Sequence, residues 1–168
     1  MAQPLVEQLR FARTEFRRGI EGISEDDAQR RFLPMNCMSW NVGHLAWHEQ
    51  RDWLINEQGI VLLPDVERVF ASGAPASTPP LAEAWAAWEA ITAAADPWLD
   101  ALTAETIMGP AHRDGKPRSV SVGSRMLRMI YHYWYHTGEN AAIRQNLGHA
   151  NLPDFVGAIE REAPYRLG

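Results

Sequence analysis

The stretch RMIYHYWYHTGENAAIRQNLG, residues 128–148, decides how the chain folds. It contains no proline, ends on Gly148, and sets His132 and His136 one helical turn apart. At about 100° per residue, Val122, Met126, Met129, Ile130, Tyr133, Trp134, Ala141 and Leu147 share a broad apolar arc. Arg128, Tyr135 and Gln145 fall on the opposite side. The pattern predicts one amphipathic helix from about Ser119 to Leu147, stopped by Gly148. His132 and His136 sit at the edge of the arc, where one ion can take a nitrogen from each. The competing reading is two core histidines, each satisfied by a single hydrogen bond.

A pair of ligands makes a weak site, and bundles collect metal ligands from facing helices. The segment SWNVGHLAWHEQRDWLINEQG, from Ser39 to Gly59, supplies a second helix. His48 shares a stripe there with Leu45, Asp52 and Ile55, and His44 lies one turn earlier on nearly the same stripe. Three imidazoles from two helices leave a position open for water, which is the pattern of a catalytic metal site. Of the two α-helical histidines in this segment, His44 reads as the bystander. Glu139, three residues after His136, is the candidate catalytic carboxylate, placed to bond a ligand or a metal-bound water. Asp52, four residues after His48, is a similar supporting group. His112 reads as solvated in a loop, and His149 as a helix-end residue that favours the local dipole.

Two further helices complete the set. Pro4 followed by Leu5, Leu9, Ala12 and Phe16 predicts an amphipathic helix ending near Gly19 or Gly22. Ser24 before Glu25, Asp26 and Asp27 predicts a short helix that stops before Pro34. The segment LAEAWAAWEAITAAADPWLDAL, 81–102, is rich in strong helix formers, with Pro97 as a kink or a second start. Residues 59–80 read as a long connection suited to covering a site. Residues 103–118 read as a loop or small hairpin, and 151–168 as a short helix and tail. Four substantial helices without a convincing strand predict an all-α four-helix bundle with long connections, in a single domain over 1–168.

Composition narrows the function classes. A net charge of −5 with scattered basic residues argues against nucleic-acid binding. One cysteine, Cys37, excludes an internal disulfide and points to a reducing compartment. With no apolar run of membrane-spanning length and no signal-peptide pattern, the expectation is a cytoplasmic protein with no membrane partner. Trp85 and Trp88 are candidates for a homodimer face.

WNVGHLAWHE, 40–49, and HYWYHTGENAAIRQNLG, 132–148, together resemble the two motifs of the DinB/YfiT-like superfamily of metal-binding four-helix bundles. Trp40 and His48 match the first, and His132, His136, Gly138, Arg144, Leu147 and Gly148 the second. The resemblance implies His48, His132 and His136 as ligands of a divalent ion, nickel or zinc. It departs from the pattern at Glu139, where glutamine is common. It also implies a low-molecular-weight-thiol S-transferase, using bacillithiol or mycothiol on a small electrophile. A related branch includes the mycothiol-dependent maleylpyruvate isomerase. Arg144 or Arg125 would meet a carboxylate of the thiol cofactor. The alternatives are a hydrolase using metal-bound water and a non-catalytic metal-binding or association module.

Overall fold

The computed structural model describes residues 3–166. The ends of the expected N-terminal segment and C-terminal tail, residues 1–2 and 167–168, lie outside the described residues. The first helix, α1, spans Pro4–Gly19, with Pro4 in its first turn and the Gln3 side chain accepting from the Leu5 N–H at 2.6 Å. A short α2, Glu25–Gln29, is capped by Ser24, whose hydroxyl accepts from the Asp27 N–H. Then α3 runs Met38–Glu49 and continues directly into a π-helical segment, Gln50–Asn56. Helix α4, Asp65–Phe70, lies within the expected long connection. Helix α5 spans Leu81–Asp100 and passes through Pro97 without a break. Proline here removes one donor near the helix end, while Ile91, Ala95 and Leu99 stay buried on one stripe.

The segment after α5 is more ordered than a loop. It holds α6, Ala104–Met108, closed by a reciprocal Thr103–Thr106 capping box. An antiparallel hairpin follows, β1 Pro110–Arg113 and β2 Lys116–Ser121. Asp114 and Gly115 make its turn, both with positive φ. Helix α7 therefore begins later than the sequence pattern predicts, spanning Val122–Asn146. Residues 119–121 pair as strand, and Ser121 caps the helix through the Ser124 N–H. Gly148, at φ +79°, ends it as expected. The C-terminal segment carries one short helix, α8, Ile159–Glu162.

Helices α1, α3, α5 and α7 form the bundle. Helix α7 packs on α1 and α3, and α3 packs on α5. Ion pairs between α1 and α5 close the ring: Arg13 and Arg10 to Asp96, Arg10 to Asp100, and Arg17 to Glu89. One core runs through all four helices, from Leu9 and Phe16 through Leu45 and Ile91 to Met126 and Ile143. The arc expected on α7 is the buried one, with Val122, Met126, Met129, Ile130 and Tyr133 inside and Arg128, Tyr135 and Gln145 outside. Trp88, expected on an association face, is buried and its indole N–H donates to the Tyr133 hydroxyl at 2.8 Å. No helix among the described residues is long and apolar enough to cross a membrane.

A polar chain crosses this core. Arg13 donates from Nε and Nη2 to the two oxygens of Glu49, at 2.8 and 2.6 Å, and Tyr133 donates its hydroxyl proton to Glu49 at 2.8 Å. Burial pulls the Arg13 pKa down, but the Glu49 carboxylate outweighs it and the net shift is upward. Burial, reinforced by Glu49, raises Tyr133 well above the usual phenol range.

Candidate metal centre

Four imidazoles meet where α3 faces α7. His44 lies edge-on to His48, His132 and His136, with ring centres 4.9, 5.1 and 5.3 Å away. His48 is edge-on to His132 at 4.3 Å. His44, His132 and His136 each offer a ligand atom, and these atoms lie within 4.8 Å of one another. The Nε2 atoms of His132 and His136 are 2.9 Å apart. Two nitrogens on one tetrahedral ion stand about 3.3 Å apart, given bonds of about 2.0–2.1 Å.

Hydrogen bonds at the far side of two rings set their tautomers. The Nδ1–H of His44 donates to the Phe70 carbonyl at 2.7 Å, and that of His136 donates to Glu139 Oε2 at 2.8 Å. Each ring is left with an Nε2 lone pair facing the cluster, the arrangement found behind most metal-bound histidines. His48 is turned differently. Arg51 Nη2 donates to its Nδ1 at 3.0 Å, which makes that nitrogen the acceptor and puts the proton of the neutral ring on Nε2. Burial lowers the pKa of His44 to about 4 and of His132 to about 3, and also lowers that of His48. In each, neighbouring positive charge adds to the effect. Neutral imidazole is the form that ligates, so this donor set fits a divalent cation.

The α4 segment holds one side of the cluster. Phe70 delivers its carbonyl to His44 because its ring lies against Gly43, where a Cβ would stand 2.1 Å from a ring carbon. Trp40 stacks on His44 at 4.5 Å and donates its indole N–H to the Val69 carbonyl. Trp47 donates to Glu67 on the same segment. The expected cover over residues 59–80 is thus tied to α3 at several points, one of them His44. Gln50, fully buried where the π-helical segment starts, accepts from the Leu62 and Leu63 N–H groups and donates to the Leu63 carbonyl.

The remaining sequence candidates divide. Glu139 is beside the cluster, accepting from His136 and, at 3.0 Å, from Asn41 Nδ2. Asp52 is buried and engaged by Arg125 at 2.5 Å and Arg51 at 3.3 Å, with no bond to His48. Arg144 lies eight residues past His136, about 12 Å along the helix at about 1.5 Å per residue. Its guanidinium donates to the Gly19 carbonyl and to His149, so it ties α7 to the end of α1. His112 is not simply solvated: its N–H and ring both bond Glu57, docking the hairpin on the π-helical segment. Asn41 and Arg51 were not singled out by sequence. Their signal is only their helical spacing from His44 and His48, three residues in each case.

An α-helical bundle with imidazoles converging between α3 and α7 defines a class, helical proteins whose centre is compatible with metal binding. The chain belongs to the mycothiol S-transferase family, DinB/YfiT-like: the family model described as Mycothiol-S-transferase matches residues 4–148. The match covers all four bundle helices and both histidine motifs. No curated protein matches the chain.

Proposed function

We propose that the protein is a metal-dependent S-transferase that joins a low-molecular-weight thiol, mycothiol in the first instance, to a small electrophile. The observation that carries this reading is the convergence of imidazole nitrogens from His44, His132 and His136 on one point, within the family match. His132 and His136 would hold the ion with a third imidazole from α3. His44 is already oriented for that role. His48, expected from the sequence motif, would take it once Arg51 releases its Nδ1. Nickel and zinc both suit such neutral nitrogen donors. A bound divalent ion supplies a positive charge that favours thiolate over thiol at neutral pH.

The chain's own groups do the rest. Glu139 holds the Nδ1 proton of His136 and fixes the ring, so it is a positioning residue. The Phe70 carbonyl does the same for His44. In the transfer, the sulfur loses its proton to solvent and forms a bond to the electrophilic carbon. The leaving group then departs with its electron pair or, in a conjugate addition, the neighbouring carbon takes a proton.

Elemental analysis of untagged protein tests the centre. About one divalent ion per chain is expected, and His132→Ala and His136→Ala should each lose it. His44→Ala and His48→Ala, compared side by side, identify the third ligand. Full metal retention in His136→Ala would remove the site. The transferase reading is tested by offering mycothiol, bacillithiol and glutathione with 1-chloro-2,4-dinitrobenzene. Metal-dependent product formation is expected, and its absence with every thiol and a panel of further electrophiles would overturn the assignment.

A further inference from the structure

Beside the histidines lies a second feature that thiol activation does not use. A cavity of about 410 Å³ is lined by Arg51, Arg113, Arg118, Arg125 and Arg128. These five belong to four elements: Arg51 to the π-helical segment, Arg113 to β1, Arg118 to β2, and Arg125 and Arg128 to α7. The chain as a whole carries a net charge of −5, so this is a local reversal of sign. Glu67 and Asp114 also line it, but with Asp52 they set three carboxylates against five guanidinium groups. Asp52 engages Arg125 and Arg51, Asp114 stands 3.9 Å from Arg113, and Glu67 accepts from Trp47. Arg118 and Arg128 have no ion-pair partner among the described residues.

The cavity adjoins the imidazoles. Arg51 lines it and also bonds His48. Arg128 lines both this cavity and a small gap bounded by His48 and His132. Converging guanidinium groups in a concave site focus a positive potential, and their planar forks match the oxygens of carboxylate or phosphate. Activating a thiol sulfur engages the imidazoles alone and gives Arg118 and Arg128 no task; an anionic group on the reacting partner would.

We propose that this arginine-lined cavity seats an anionic group, a carboxylate pair or a phosphate, on the electrophile. The substrate would then be an acidic small molecule whose charged end lies among Arg118, Arg125 and Arg128 and whose reactive carbon points to the histidines. This rests on the S-transferase reading for the role of the ligand, but the anion site itself is open to a separate test.

Succinate and inorganic phosphate are titrated calorimetrically into the full chain at fixed ionic strength, as purified and again after chelation. Succinamide, of similar shape and uncharged, is the control. At least one anion should bind, unaffected by chelation, and at least tenfold more weakly to Arg118→Ala and to Arg128→Ala. Tighter succinate binding assigns a dicarboxylate electrophile, and tighter phosphate binding a phosphorylated one. If neither anion binds, if both variants bind as the parent does, or if succinamide binds equally, the proposal is overturned. Transfer of thiol to a neutral electrophile would survive that outcome. Anion binding without any thiol transfer would keep the cavity's assignment and remove the transferase reading.

Discussion

At the scale of single residues, the imidazole cluster is held by atoms outside it. Glu139 Oε2 accepts from both His136 Nδ1 and Asn41 Nδ2. A glutamine oxygen can accept the same proton without the negative charge, whereas alanine leaves the imidazole free to turn. Glu139→Gln should weaken metal binding by about tenfold, and Glu139→Ala by more, towards the roughly 100-fold upper end for such supporting groups. Competition against a chromophoric chelator measures both, and an Ala variant with parental affinity would show the carboxylate to be idle. His132 and His136 could be read from sequence because four-residue spacing puts both on one edge of one helix. The part played by His44 could not. Its orientation comes from a carbonyl 26 positions away along the chain, and no local spacing encodes that contact.

Among elements, the π-helical segment after α3 escaped the sequence pattern, and the hairpin before α7 was legible only as an alternative to a loop. Short strands of four and six residues with polar outer positions give no clear alternation, and their order depends on Glu57 binding His112. The π-helical turns widen the helix by one residue per turn locally, and Gln50 supports them through the connection at Leu62 and Leu63. The long helices, by contrast, carry their periodicity in the chain itself. The C-terminal segment is attached to α1 through Glu15, which accepts from Arg18 and from the Gly157 N–H at 2.8 Å. The Arg18 guanidinium, more than burial opposes, holds the Glu15 carboxyl below its usual pKa, and Gly157 adds to this. Ionised Glu15 therefore stabilises the fold above the unfolded-state value of about 4.3, and the contribution disappears as pH falls through the depressed folded value. Urea unfolding should show Glu15→Gln less stable than the parent at pH 7, with the gap closing on acidification below about pH 4. A gap that stays constant with pH would contradict this.

For the whole molecule, the Arg13–Glu49–Tyr133 chain is the polar centre around which four helices close. Glu49 has no exposed side-chain surface, and Arg13 has 6 %. Removing Glu49 leaves the buried Arg13 with only the partly exposed Asp96, so Glu49→Ala should cost about 3–5 kcal/mol in denaturant unfolding, the usual range for a broken buried pair. A loss below about 1 kcal/mol would mean that water reaches Arg13 without difficulty. The four-helix architecture was legible because amphipathic stripes are local. This network was not, because Glu49 reads as one more polar residue on a helix until Arg13 and Tyr133 are brought against it.

The bond from His44 to the Phe70 carbonyl links the centre to the connection that covers it. Anything that binds the folded cluster and holds His44 in place also favours the docked Asp65–Phe70 segment over its local unfolding, because the two share one hydrogen bond. Occupancy of the imidazoles would thus be visible at a distance, as slowed exchange of the α4 backbone amides with deuterated solvent. The connection would report on the ion without touching it.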